Sequence, residues 1–182
     1  QLTQGVASLA DYFRKRDESS STHVLLAEDN DVNQTVLMAI LERAGHSVEL
    51  AVDGEEALDI LTQRDTEFDI VVLDMNMPRV SGIDVLKAYN FMDTDRNLPF
   101  IMLSANALPA TIESCKRAGA DEYLTKPVDA RQLIDVIDNL TRKKKETAQE
   151  TAEIQAFPTA TDTGAQSWRY INPQSLSNLQ DI

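Results

Sequence analysis

The sequence is poor in the residues from which many catalytic and binding sites are built. It has one cysteine and two histidines in 182 residues, so it can form no internal disulfide and shows no cluster of metal-spaced cysteines and histidines. It also has no glycine-rich phosphate loop and no Ser/His/Asp set. Basic residues number 17 against 30 acidic ones, and the net charge of -13 argues against a nucleic-acid binder held by phosphate contacts.

Long apolar runs are missing as well. No apolar segment approaches the length that crosses a bilayer, and we do not expect the first residues to act as a signal peptide. The lone Cys115 indicates a reducing compartment. We therefore expect a cytoplasmic location for this part of the protein, while an inner-membrane anchor on a longer parent chain stays open. The acid excess suits a cation site or a basic partner, and it equally suits plain solubility.

What the chain does have is a regular alternation of short apolar runs and amphipathic stretches. The apolar runs predict five strands, at residues 23–27, 47–51, 69–73, 99–103 and 121–124. A helix is predicted after each strand, beginning near Asn30, Asp53, Gly82, Pro109 and Asp129. Five strand–helix units predict a three-layer, doubly wound α/β domain with a parallel sheet between two layers of helices.

The regions on either side of residues 23–141 lack this alternation. Residues 1–22 are predicted to be a lead-in linker or helix. The last helix of the domain is expected to end near Leu140, where the apolar period disappears. Residues 142–167 are then predicted to be a flexible linker, because they are rich in Thr, Ala and Gln. Residues 168–182 are predicted to be the start of a downstream segment, or a tail that docks back on the domain.

Polar side chains stand where four of the predicted strands end. Asp74 follows the continuous apolar run 70–73, which is typical of a strand that is buried on both faces. The remaining residues of this kind are Glu28, Asp29, Ser104 and Lys126. Because the carboxyl ends of parallel strands meet at one edge of the sheet, we expect these groups to lie together.

This combination of groups suits phosphoryl transfer. Crowded carboxylates need a cation, and oxygen ligands of this kind suit Mg²⁺. A lysine and a hydroxyl supply a charge and a hydrogen bond for phosphoryl oxygens, so the pattern predicts a carboxylate nucleophile that accepts phosphoryl. Each residue alone has a simpler explanation: Asp74 and Ser104 could cap helices, and Lys126 could be an ordinary surface lysine. Their conjunction at successive strand ends favours the functional interpretation.

Residues 23–141 resemble the receiver domain of two-component signalling. The resemblance rests on spacing, since Ser104 follows Asp74 by 30 residues and Lys126 follows Ser104 by 22. It also rests on the following motif residues: Glu28-Asp29, the run 74–78, Gly82, Ala105, Tyr123 and Pro127. It implies a flavodoxin-like (βα)5 fold with strand order 2-1-3-4-5.

The resemblance also implies a role for each matching residue. Asp74 would be the phosphoacceptor, and Lys126 would pair with it at rest and with the phosphoryl oxygen afterwards. Mg²⁺, for which Mn²⁺ could substitute, would be held by Asp29 and Asp74, by the Asn76 backbone carbonyl, and by Glu28 through water. Ser104 and Tyr123 would be the switch residues and would move together. Pro127 would follow a cis peptide bond.

In finer detail, the runs 28–34 and 103–108 resemble the receivers of hybrid sensor histidine kinases. Pro109, Cys115 and the runs 118–120 and 126–128 resemble those hybrid kinases that respond to fatty-acid quorum-sensing signals. The resemblance implies that this fragment is not itself an enzyme and that the parent chain is a histidine kinase. The implied partner is a phosphohistidine donor in a kinase core, in a histidine phosphotransfer domain or in both. No nucleic-acid partner is expected for this fragment. A partner enzyme and a homodimer through the last two helices stay open.

Two other classes of function compete with the phosphoacceptor hypothesis. A docking module would regulate a kinase core or a partner enzyme largely independently of phosphorylation, with Tyr123 and the last helix as contacts. An aspartyl phosphatase is disfavoured, because its general acid would be an aspartate two residues after Asp74, where this chain has Asn76.

Overall fold

The computed structural model describes residues 21–92, 98–106 and 108–155. These ranges contain five parallel strands, which are β1 (His23–Ala27), β2 (Ser47–Ala51), β3 (Ile70–Asp74), β4 (Phe100–Ser104) and β5 (Glu122–Thr125). The α-helices between and after them are α1 (Asp31–Arg43), α2 (Gly54–Arg64), α3 (Gly82–Phe91), α4 (Pro109–Ala118) and α5 (Ala130–Gln155). The sheet order is β2-β1-β3-β4-β5. The predicted doubly wound, flavodoxin-like fold is confirmed.

Alternating residues of each strand send their side chains into two separate cores. One core lies between the sheet and helices α2, α3 and α4, and it contains Leu25, Val71 and Met102. The other lies between the sheet and helices α1 and α5, and it contains Leu26, Val72 and Leu103. Because both faces of the sheet are covered, the central strands are apolar throughout, which explains the continuous runs in the sequence.

Cys115 belongs to the first of these cores. It lies on α4, is fully buried, and its Sγ atom is 3.9 Å from the Sδ atom of Met75. Met75 directly follows the last residue of β3, so α4 packs beneath the point where that strand ends. Burial raises the pKa of the Cys115 thiol.

Three strands begin and end one residue later than the sequence predicted, and the two acids that precede β3 and β5 explain part of the shift. The side chain of Asp69 accepts a hydrogen bond from the backbone N–H of His23, and that of Asp121 accepts one from Phe100. Both acids therefore cap the amino end of a neighbouring strand, and β3 and β5 begin at the residue after the acid. Asp74 and Ser104 are the last residues of their strands.

The last helix is also longer than predicted. It was expected to end near Leu140, but α5 continues to Gln155. Loss of the apolar period removed the evidence for a buried face, yet residues 141–155 are rich in Lys, Glu, Ala and Gln and contain neither Gly nor Pro. Such residues favour helix by intrinsic propensity alone. Residues 142–155 of the predicted linker are thus helical.

The other predictions for the flanks lie outside the described residues: the lead-in up to residue 20, the linker from residue 156, and the segment 168–182. Across the ranges that the structure covers, none of the helices has both the length and the hydrophobicity needed to cross a bilayer.

Candidate functional site

The polar residues of the strand ends meet at the carboxyl edge of the sheet. Parallel registry aligns Ala27 with Leu73 and Asp74 with Leu103, so the residues that follow β1 and those that end β3 are neighbours. On the other side, the N–H of Lys126 donates to the Ser104 carbonyl at 2.8 Å and extends the ladder by one residue. Sheet registry therefore fixes which side chains can meet.

Three carboxylates form the centre of the site. One oxygen of each of Glu28, Asp29 and Asp74 can be chosen so that all three lie within 4.8 Å of one another. Glu28 is fully buried and Asp74 is 5% exposed, whereas Asp29 is open to solvent. We refer to these three residues as the acid cluster. Burial and mutual repulsion both disfavour full ionisation unless a positive charge is close.

Lys126 supplies one such charge. Its Nζ atom lies 2.6 Å from Glu28 Oε2 and 2.9 Å from Asp74 Oδ2. Burial lowers the pKa of Lys126, but its hydrogen bonds to Asp74 and Glu28, together with their charges, outweigh that effect and leave the pKa raised. The ammonium therefore stays charged at neutral pH and offsets one of the three carboxylate charges. The Lys126–Pro127 peptide bond that precedes α5 is cis.

The first turn of α1 holds Glu28 from the other side. Asn33 Nδ2 donates to Glu28 Oε1 at 2.8 Å, and Gln34 Nε2 donates to the Glu28 carbonyl at 2.7 Å. The Asn30 side chain caps this helix by accepting from the N–H groups of Val32 and Asn33. Sequence reasoning recognised the cap but assigned no role to Asn33 or Gln34, although their place in the first turn after a strand end was a usable signal.

Ser104 and Tyr123 meet through the backbone of one loop residue. The N–H of Asn106 donates to Ser104 Oγ at 3.1 Å, and the Tyr123 hydroxyl donates to the Asn106 carbonyl. Ser104 is fully buried and Tyr123, on edge strand β5, is partly buried. The Asn106 main chain therefore connects Ser104 to Tyr123. Asn106 acts through its main chain, which leaves no signal in the sequence.

The acid cluster has the chemistry of a divalent cation site. Its donors are carboxylate oxygens, Lys126 leaves two of the negative charges without an offset, and the exposed Asp29 gives access from solvent. Mg²⁺ prefers such oxygen donors and keeps several waters. Asn76, the backbone ligand implied by resemblance, is exposed and its N–H donates to Asp74 Oδ1 at 3.2 Å. The donor set therefore fits Mg²⁺.

A family profile and individual relatives both identify the family of this chain. The response regulator receiver domain profile matches residues 24–138. The sensory/regulatory protein RpfC of Xanthomonas campestris pv. campestris is 36% identical over 147 residues, covering 79% of this chain and 20% of that protein. The hybrid signal transduction histidine kinase M of Dictyostelium discoideum is 33% identical over 124 residues, covering 66% of this chain and 5% of that protein. The chain thus spans a fifth or less of these two relatives.

Solved structures agree with the sequence relatives. The receiver domain of the sensor histidine kinase PA1611 from Pseudomonas aeruginosa PAO1 has a TM-score of 0.61 and 32% identity, with 66% of this chain and 98% of that chain covered. That structure has a magnesium ion coordinated in its active site cleft. The receiver domain of the Francisella response regulator 1452 has a TM-score of 0.62 and 32% identity, with 68% and 98% covered.

Proposed function

The chain belongs to the response regulator receiver domain family, and from that premise we propose that Asp74 accepts a phosphoryl group from a phosphohistidine of a partner domain. The observation that carries the proposal is the contact of Asp74 with Lys126 at 2.9 Å inside the acid cluster. A carboxylate held beside one ammonium, at the open edge of the sheet, can act as a nucleophile while its charge is partly offset.

In the proposed reaction, an Asp74 carboxylate oxygen attacks the phosphorus atom in line with the bond to the donor imidazole. The new O–P bond forms as the P–N bond breaks, and the bonding electron pair leaves with the imidazole nitrogen. Lys126, already beside Asp74, offsets negative charge on the transferred group. Mg²⁺ held by Asp29, Asp74 and the Asn76 carbonyl, with Glu28 acting through water, would offset the remaining charge of carboxylates and phosphoryl oxygens.

Ser104 and Tyr123 would report the phosphorylated state. We propose that the Ser104 hydroxyl turns towards a phosphoryl oxygen and so gives up its hydrogen bond with the Asn106 N–H. Tyr123 shares the Asn106 contact, so it would then rotate into the space that Ser104 leaves. The outcome would be a changed surface on the side of β5 and α5, available to a partner that distinguishes the two states.

The phosphohistidine donor also needs a place to dock. A cavity of about 260 Å³ opens directly beside Lys126. It is lined by Asn33, Val36, Leu37 and Ile40 of α1 and by Lys126, Pro127 and Val128. Since Lys126 is both a wall of this groove and a partner of Asp74, a domain seated there would bring its histidine close to the acceptor. We propose that this α1 groove receives the donor.

Phosphorylation of Asp74 can be tested with a small phosphodonor and Mg²⁺. Wild type should gain the mass of one phosphoryl group, and Asp74→Asn should gain none. Asp69→Asn is the matched control, because Asp69 directly precedes the opposite end of β3 and the variant should leave the modification intact. An unmodified wild type under both small-donor and phosphohistidine-donor conditions would overturn the proposal.

Docking in the α1 groove can be tested separately with two valines of similar exposure. Val36, 52% exposed, lines the groove, whereas Val52, 51% exposed, does not. Val36→Asp should slow transfer from a phosphohistidine domain by about tenfold or more, as expected when an interface position is lost. It should not change modification by the small donor. Equal effects of Val36→Asp and Val52→Asp would contradict the docking site.

A further inference from the structure

The loop between β3 and α3 contains an unusual backbone conformation. Arg79 has a φ angle of 65°, and the N–H of Val80 donates to the Pro78 carbonyl at 2.8 Å. A positive φ at the centre of an i→i+2 hydrogen bond is typical of the classic γ-turn, which is rare and strained. Arginine has no intrinsic preference for this region. Such a conformation persists only where the surroundings over-determine it.

Those surroundings are at the start of α2. The Arg79 guanidinium pairs with the Asp53 carboxylate, and its Nε lies 3.1 Å from Glu55 Oε2. Asp53 is held in turn, because its side chain accepts from the Glu56 N–H at 2.9 Å and so caps α2. A bonded network therefore joins the turn at Arg79 to a fixed helix end. We call the Arg79–Asp53–Glu55 network the loop latch.

Backbone packing at both ends of the loop leaves it little other freedom. A Cβ atom on Gly54 would lie 2.1 Å from the Val80 carbonyl oxygen, so the loop rests directly on the first residue of α2. A Cβ atom on Gly82 would lie 2.3 Å from the Asp74 carbonyl oxygen, so the start of α3 rests on the proposed phosphoacceptor. Between these two contacts lies Asn76, whose N–H already bonds to Asp74 Oδ1.

We propose that Arg79 is a positioning residue for the cation site, acting through the loop that it latches to α2. The inference rests on the proposed function, since it takes Asp74 and the Asn76 carbonyl as cation ligands. The latch holds the strained turn closed and thereby keeps these two groups at a fixed separation before the cation arrives. Arg79 itself touches neither the cation nor the phosphoryl group.

The sign of one substitution separates this role from ordinary electrostatics. Removal of a positive charge near a cation site should strengthen cation binding if charge alone matters. The latch predicts the opposite, because the loop loses its anchor. Arg79→Asn is the sharpest variant, since asparagine tolerates a positive φ and so removes the ion pairs without adding backbone strain of its own. Arg79→Lys keeps the charge and should retain part of the cation affinity that Arg79→Asn loses.

The experiment is a titration of the unphosphorylated chain with Mg²⁺. Binding is monitored by calorimetry and by the amide chemical shifts of residues 74–82. Arg79→Asn should weaken Mg²⁺ binding about three- to fivefold, the range of an exposed ion-pair network. Asp53→Asn, which keeps the helix cap, should have a similar effect, and the double variant should lose no more than either single one. Arg117→Asn, on the exposed face of α4, is the control and should bind as wild type does.

Each other result has a definite meaning. Equal or tighter Mg²⁺ binding by Arg79→Asn overturns the latch while leaving Asp74 as phosphoacceptor untouched. Additive losses in the double variant also overturn it, because the two residues would then act independently. A wild type that binds no Mg²⁺ yet becomes phosphorylated at Asp74 overturns the latch and the cation site together. A wild type that does neither overturns the proposed function itself.

Discussion

The two edges of the sheet use acidic residues in opposite ways. At the amino edge, Asp69 and Asp121 each accept a backbone N–H, from His23 at 2.9 Å and from Phe100 at 2.8 Å. At the carboxyl edge, Glu28, Asp29 and Asp74 face one another, and Lys126 bonds to two of them. The first group is dispersed and individually satisfied, whereas the second is concentrated and shares its counter-charge.

The direction of the strands explains this difference. The amino end of a parallel strand presents N–H groups that need an acceptor, so an acid there is used as a cap. The carboxyl end presents carbonyl groups, which offer an acid no donor. In βαβ units the helices begin at this same edge, and their amino ends favour negative charge. Acids can therefore gather there around a shared counter-charge, as Glu28 and Asp74 do around Lys126.

The largest expected contrast is between the lysines of the two edges. Lys126→Met removes a shared counter-charge from buried Glu28 and Asp74, and we expect a loss of about 2–4 kcal/mol in unfolding free energy. Lys144, whose Nζ atom lies 3.2 Å from the Asp69 carbonyl at the amino edge, is the control, and Lys144→Met should cost less than about 1 kcal/mol. Urea denaturation measures both, and equal losses would break the comparison.

The pH dependence of the same pair follows from the raised pKa of Lys126. A group whose pKa is higher in the folded state stabilises the protein below its unfolded pKa, and that stabilisation is lost as the pH rises through the folded value. The difference in unfolding free energy between wild type and Lys126→Met should therefore be constant from neutral pH up to the ordinary lysine pKa of 10.5 and shrink above it.

A second contrast concerns cation binding. Asp29→Asn removes an exposed acid of the cluster, and we expect Mg²⁺ affinity to fall by about tenfold or more, since even indirect partners of a metal contribute that much. Asp69→Asn removes an equal charge at the other edge and should change the affinity by less than about twofold, because screening is strong at that separation. Calorimetric titration distinguishes them. Similar losses would mean that only net charge matters.

The smallest expected effect sharpens the description of the amino edge. Desolvation raises the pKa of Asp121, outweighing the hydrogen bond from Phe100 that lowers it. An acid with a raised pKa stabilises the fold below its unfolded value of 3.8 and loses that contribution as the pH rises through the folded value. At neutral pH, Asp121→Asn should therefore change stability by less than about 0.5 kcal/mol. On acidification the unfolding free energy of wild type should rise relative to that of Asp121→Asn. A difference in unfolding free energy that does not change with pH would contradict this prediction.

Most of the fold could be predicted because each element carried its own local signal. The apolar run 70–73 marked a buried strand, and Asn30 and Asp53 marked helix starts that the structure confirms. What failed lacked such a signal. The end of α5 depends on propensity without periodicity, and the one-residue shift of β3 depends on the side chain of Asp69 bonding to a different strand.

The residues of the site also differ in whether the sequence carried a signal for them. The proximity of Glu28, Asp29, Asp74 and Lys126 could be predicted because strand ends determine where they lie. In the structure the three carboxylates lie within 4.8 Å of one another and Lys126 bonds to two of them. Main-chain links such as Asn106 could not be foreseen, since any residue provides an N–H and a carbonyl. Arg79 also escaped notice, because its importance lies in a φ angle and in a partner 26 positions earlier in the chain.

The buried thiol of α4 is a built-in probe for the opening of that helix. Cys115 is the chain's one cysteine, lies against Met75 and is fully enclosed, so an alkylating reagent can reach it only when α4 lifts away from the sheet. The alkylation rate therefore reports how often α4 opens next to Met75, the residue that follows Asp74. A change of that rate on phosphorylation would show whether modification of Asp74 is transmitted to the helix below it, without any engineered label.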